Sequence, residues 1–111
     1  MQILVQAKNI SVTPMIERAV QHQAQKLGRL SSKIVKVFAF LEVIDKKKND
    51  SHAARVLYKI CWPGKDIVVQ ERAANLYDAI VDTTDSAMRV LRKEKERRRE
   101  YRQIGRRAVS A

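Results

Sequence analysis

The apolar residues of this chain repeat at every second position in some stretches and at every third or fourth in others, and the order of those stretches leaves few folds open. Ile3, Val5 and Ala7 alternate with Leu4 and Gln6, which predicts a first strand. Ile16, Val20, Ala24 and Leu27 recur at helical spacing. Thr13 suits the N-cap and Pro14 the first turn, where its missing N–H costs nothing, so a helix is predicted over 14–27, closing near Gly28. Val35, Val37, Ala39, Leu41 and Val43 then alternate as a second strand, with Phe38 and Phe40 on its other face. The run over 45–50 (Asp-Lys-Lys-Lys-Asn-Asp) reads as a solvated turn. Val56, Tyr58, Ile60 and Trp62 form a third strand, and Pro63-Gly64 turns it into a fourth over 67–71. A long helix is predicted over 76–102.

The order is therefore β-α-β-β-β-α. A strand-helix-strand opening favours a right-handed crossover with strands 1 and 2 parallel, and the remaining strands follow as an antiparallel meander. Each helix has one apolar stripe to bury, so both are expected on one face of a four-stranded mixed sheet, giving a two-layer α+β sandwich. With 111 residues and 45% hydrophobic side chains, the chain suffices for one domain without staples. Cys61 is the only cysteine, and His22 and His52 are the only histidines, so neither a disulfide nor a closed zinc site is expected.

Charge is the second constraint. The formal net charge is +11, and residues 87–111 hold ten basic and three acidic side chains. The stripe of the last helix steps through Tyr77, Ile80 and Val81, Thr84, Met88 and Leu91, and the same face then reads Lys95, Arg98, Arg102. Unpaired charge cannot enter an apolar core, so the helix is expected to leave the body just after Leu91. Residues 1–91 then form the compact part and 92–111 a projecting basic end of the same domain. Nine basic residues over 92–107 face three carboxylates, and a ridge with that surplus attracts a polyanion.

On the first helix, Arg18, His22, Gln25 and Arg29 lie opposite the core stripe, with Lys26 on the flank. Taken alone this row is equally an ordinary solvated helix face. Arg89, Lys93 and Arg97 share a face of the second helix away from its stripe. Together the rows suit a surface that tracks phosphates and reads RNA shape more than base sequence. Phe38 and Phe40 suit base stacking, a dimer contact or packing of the chain's own tail. Asp78, Asp82 and Asp85 are spaced as a hard-metal row would be, but acidic residues also favour the first half of any helix. There is no Gly-rich phosphate loop and no nucleophile-base pair, so no catalysis and no cofactor are expected. Residues 1–8 carry no basic start followed by an apolar run, and no stretch is long and apolar enough for a membrane span, so a cytoplasmic location is expected.

The whole pattern resembles the ribosome hibernation-promoting factors, also called ribosome-associated inhibitor A or the sigma-54 modulation protein family. The resemblance rests on the opening strand, on Ile-Ser-Val-Thr-Pro-Met-Ile at 10–16, on Lys26-Leu27, and on Leu-Tyr-Asp-Ala-Ile at 76–80. Tyr77, Ala79, Ile80, Arg89, Leu91 and Lys93 fall on the family's pattern, while Gln23, Gly28, Asn75 and Ser86 depart from it. The resemblance implies a fold similar to double-stranded-RNA-binding domains and binding to the small ribosomal subunit and its rRNA, in competition with messenger and transfer RNA. It implies a short-form factor that idles ribosomes under stress or in stationary phase. Lys26, Arg89 and Lys93 are the rRNA contacts that the motif implies; Arg18, Arg29, Arg92, Lys95 and Arg97 join them on charge geometry alone. Two other readings stay open at this point: a protein-binding modulator of transcription, and a generic binder of structured RNA.

Overall fold

Six elements follow the order set by the periodicities: β1 (Gln2–Lys8), α1 (Pro14–Leu30), β2 (Lys36–Val43), β3 (Ala54–Trp62), β4 (Lys65–Ala73) and α2 (Leu76–Ser110). They come from a computed structural model that describes residues 1–44 and 52–110, the stretch 100–110 by its backbone alone. The predicted turn over 45–50, with Lys46 to Lys48, lies outside the described residues, as do the side chains of Arg102, Arg106 and Arg107.

The sheet order is β1-β2-β3-β4, with β1 parallel to β2 and the other pairs antiparallel. In this register Ile3, Val37, Ile60 and Ile67 form one cross-strand row, and Val5, Ala39, Tyr58 and Val69 the next. Residues two apart share a face, so both rows point to the same side, where Val20, Ala24 and Leu27 of α1 and Ala79, Ile80, Ala87 and Leu91 of α2 close over them. Both helices therefore lie on one face, as the two stripes require. On the other face Leu4, Phe38, Phe40, Leu57 and Val68 form an uncovered apolar centre. Around it Arg55 pairs with Glu42 at 2.6 Å and Lys59 with Asp66 at 3.7 Å.

Local chemistry fixes the ends of the elements. Thr13 caps α1, its hydroxyl accepting from the Ile16 N–H at 3.2 Å. Asn75 caps α2 reciprocally: its Oδ1 accepts from the Asp78 N–H at 2.9 Å and its amide donates to the Asp78 carboxylate at 3.0 Å. Gly64 supplies a positive φ of 82° for the two-residue turn Pro63-Gly64.

Three expectations are corrected. Helix α1 does not close at Gly28 but runs on to Leu30, where Ser31 turns extended; Gly28 lies inside the helix with the Met1 side chain packed beside it. Helix α2 continues past residue 102 to Ser110. Tyr77 is not a core residue: it is 59% exposed, and Leu76 and Ala79 take the inward positions.

The core of α2 is polar at its middle. Thr84, fully buried, donates to the Ile80 carbonyl at 2.8 Å and lies 3.0 Å from the Tyr58 hydroxyl, also fully buried. With the threonine proton committed to Ile80, Tyr58 is the donor of that pair. Burial, the largest cause, pushes the Tyr58 phenol up to about 12. The fold holds the neutral phenol, whereas the unfolded chain ionises near 10, so this contribution is intact below pH 10 and falls away as pH rises towards 12. Tyr58→Phe should cost about 1–2 kcal/mol near neutrality, because it leaves Thr84 one partner short. In urea unfolding from pH 8 to 12 the gap between wild type and variant should close above pH 10; a constant gap would contradict the assignment.

Candidate nucleic-acid interface

The two helices run in the same direction. Helix α2 descends antiparallel to β4, meeting Glu71 at Ser86 (2.8 Å) and Lys65 at Glu94 (2.9 Å). Lys95 Nζ then donates to the Leu30 carbonyl, so the C-terminal end of α1 lies beside the second half of α2. Counting back along both helices at about 1.5 Å per residue puts Lys26 level with Leu91, next to Arg92, and Arg18 level with Thr83. It also explains Tyr77, which falls beyond the first turn of α1 and finds no helix to cover it.

The outer ridge of α2 changes sign at its midpoint. Residues 76–88 carry Asp78, Asp82 and Asp85 and no basic side chain, whereas residues 89–99 carry seven basic and two acidic. Asp78, Asp82 and Asp85, then Arg89, Arg92, Lys93 and Arg97, are all exposed. Of the predicted residues, the structure brings Lys26, Arg29, Arg89, Arg92 and Lys93 to the lower half of the helical face. Lys26 is half-buried on the flank that faces α2, and Arg29 is exposed in the last turn of α1. Lys26, Arg29, Arg92 and Lys93 meet no carboxylate among the described residues, and Arg89 meets only the Ser86 hydroxyl, at 3.3 Å.

The other predicted residues are placed differently. Arg18 lies about three turns above Arg29, at the level of the aspartates. Lys95 is engaged with the end of α1, where a cation also meets the negative end of the helix dipole. Arg97 pairs with Glu94 at 3.4 Å on the β4 side. The Lys65 ammonium, bonded to Glu94, holds that carboxyl below the usual range, with Arg97 adding to the effect.

The sequence places the departure of the helix just after Leu91, and among the described residues Leu91 is the last fully buried apolar side chain of α2. The side chains beyond it nevertheless stay on the body for two more turns. Arg98 stacks its guanidinium 3.9 Å from the centre of the Trp62 ring and donates to the Pro63 carbonyl at 3.0 Å. A stacked cation and a free carbonyl at the hairpin tip replace the apolar partner that the stripe lacks from this point on. From Arg98 the helix extends a further stretch of about 18 Å. The radius of gyration is 16.7 Å, against about 13 Å for a compact chain of this length.

Lys33, Trp62, Lys95, Arg98 and Arg99 line a concavity of about 220 Å³ at the foot of the two helices. Sequence reasoning missed it. Arg98 was visible seven positions after Leu91 on the stripe, but nothing in the spacing ties Lys33 or Trp62 to it. His22 is exposed and Cys61 partly so, and among the described residues no group of His, Cys, Asp or Glu is placed to hold a metal ion. Among the described residues no helix is long and apolar enough to cross a membrane.

Residues 3–99 match the model of a family described as sigma 54 modulation protein / S30EA ribosomal protein. The chain is 33% identical to a ribosome hibernation promotion factor from Deinococcus radiodurans, over 89% of this chain and 51% of the relative, so it spans about half of that protein's length. It is 27% identical to a ribosome hibernation promoting factor from Acinetobacter guillouiae, over 91% and 93% of the two chains. Among solved structures, the N-terminal domain of Protein Y from Thermus thermophilus superposes with a TM-score of 0.67 at 26% identity, covering 81% of this chain and 93% of that domain. A ribosomal subunit interface protein from Coxiella burnetii shares the fold with a TM-score of 0.70 at 16% identity, over 86% and 99% of the two chains.

The docking of the second helix half is directly testable. Arg98→Ala should expose Trp62 to acrylamide quenching and speed hydrogen exchange of amides from residue 95 onward, while β2 and β3 amides keep their protection. Unchanged quenching would mean that the stacked pair does not hold the helix.

Proposed function

The chain belongs to the sigma 54 modulation protein / S30EA ribosomal protein family, and from that premise we propose that it binds the small ribosomal subunit through rRNA phosphates and holds ribosomes idle. The observation that carries this reading is the change of sign along the outer ridge of α2, with the Lys26 and Arg29 flank of α1 beside its positive half. Relatives named as ribosome hibernation factors support it. The same reading takes residues 92–111 as the basic extension of the domain and assigns the protein no catalytic step and a place in the cytoplasm with its ribosomes.

The chemistry is electrostatic and geometric. Arg89, Arg92, Lys93, Lys26 and Arg29 offer only donors, so they suit phosphate oxygens and release counterions on binding. Among the described residues no aromatic ring for base stacking lies beside them on the ridge, so recognition falls on the spacing of phosphates in a folded RNA rather than on its bases. Asp78, Asp82 and Asp85 repel phosphate from the upper half, which fixes the direction in which the domain can lie on its RNA. A body seated in this way in the channel between head and body of the small subunit excludes messenger RNA and the anticodon stems of transfer RNA. Arg18 and Arg97 contribute long-range attraction more than contact, and Lys95 acts through the end of α1.

Co-sedimentation of the purified chain with ribosomes and isolated small subunits, at low and moderate salt, tests the proposal. Saturation near one copy per small subunit, with displacement by transfer RNA, is the expected result. Binding that never saturates points to unspecific attraction, and salt-tolerant binding to a protein partner instead points to a transcriptional role. Reversing Arg89, Arg92 and Lys93 together to glutamate should abolish saturable binding. Neutralising any one of them should lower the log–log salt slope by about one.

A further inference from the structure

The concavity at the foot of the helices lies apart from the ridge formed by Arg89, Arg92 and Lys93, and every side chain polar group that lines it is a donor. Lys33, Lys95, Arg98 and Arg99 have no acceptor atoms, and neither has the indole of Trp62. The Trp62 Nε1–H is itself enclosed and meets no acceptor among the described residues. Among the described residues no carboxylate lines the space, and Lys33 and Arg99 have no acidic partner. Two of the four cations are held in place by the body: Lys95 by the Leu30 carbonyl and Arg98 by Trp62 and the Pro63 carbonyl. Each engaged group keeps spare N–H bonds, three in a lysine and five in an arginine being the full complement, so the positions are fixed while donors remain free.

We propose that this concavity is a phosphate seat, in which one phosphate group bridges Lys33 of the body to Lys95, Arg98 and Arg99 of α2. The ligand's chemistry follows from the lining. A donor-only, fourfold cationic pocket of about 220 Å³ takes a compact, acceptor-only anion. It does not take a base: Trp62 is only 4% exposed and the Arg98 guanidinium covers its ring, so no aromatic face is left for stacking. The seat is thus indifferent to nucleotide identity. A phosphate bound there ties the second half of α2 to the α1–β2 connection and stiffens the arm that follows. This deepens the ribosomal reading and rests on it in one respect, the source of the phosphate: an RNA backbone, with a free polyphosphate as the other source of the same group.

Trp62 is the single tryptophan of the chain, so its emission reports on the seat without labelling. The full chain is titrated with inorganic pyrophosphate, with a short non-ribosomal duplex RNA and with a poly-glutamate peptide, following Trp62 fluorescence. A saturable change with pyrophosphate is expected. A change with duplex RNA alone still supports the seat and assigns it to backbone phosphate. Lys33→Glu with Arg99→Glu, two exposed changes that break no described bond, should weaken the response about tenfold. Arg89→Glu with Lys93→Glu should leave the pyrophosphate response intact while weakening ribosome binding, so failure of the seat and failure of the ribosomal reading are told apart. No change in Trp62 emission with either phosphate ligand, an unaltered response in the Lys33 and Arg99 variant, or a tighter response to poly-glutamate than to both phosphates would each overturn the proposal.

Discussion

A single unbroken helix has to wall the core and then carry the charge, and its backbone cannot change direction between the two tasks. Helix α2 buries Ala79, Ile80, Ala87 and Leu91 against the sheet, then continues on the same axis with Glu94, Lys95 and Arg98 on the same face. The apolar layer ends where the strands end, so those three side chains reach the rim rather than the interior. There Lys65, the Leu30 carbonyl, the Pro63 carbonyl and the Trp62 ring receive them. Exposed pairs of this kind are individually weak, but four contacts within little more than one turn set the direction of everything beyond.

Most of the fold was legible because strand and helix periods differ so plainly here. Val56, Tyr58, Ile60 and Trp62 can be read only as one strand face, and the Thr13-Pro14 start only as a helix beginning. What escaped was set by neighbours distant in sequence. Tyr77 falls on the apolar stripe of its helix, yet α1 begins too low to cover it. Gly28 looks like a helix terminator, yet the chain has no need of a positive φ there and the helix runs on to Leu30. The departure point of α2 was read from charge alone, because no local pattern announces that a carbonyl of α1 and a hairpin tip stand ready for Lys95 and Arg98.

The candidate interface was legible in composition but not in layout. A helical wheel of α2 shows Arg89 and Lys93 outward, and the structure agrees that they are exposed. It does not show that α1 and α2 run parallel, which is what puts Lys26 and Arg29 beside Arg92 and carries Arg18 up to the aspartates. Nor does it show that Lys95 is engaged. The resulting surface is directional: acid above, base below, with a donor-lined hollow at the foot. A wholly basic helix would bind any polyanion in either sense, whereas a helix of changing sign restricts how a folded RNA can lie against it.

Site-specific photo-crosslinking on small ribosomal subunits, with the reactive group placed in turn at positions 93, 82 and 40, distinguishes the helical ridge from the sheet face. Crosslinks to rRNA are expected from position 93, on the positive half of α2, and none from position 82 on its acidic half or from position 40 on the uncovered sheet face. Crosslinks to rRNA from position 40 with none from position 93 would contradict this assignment, and would move the binding surface to the opposite side of the sheet.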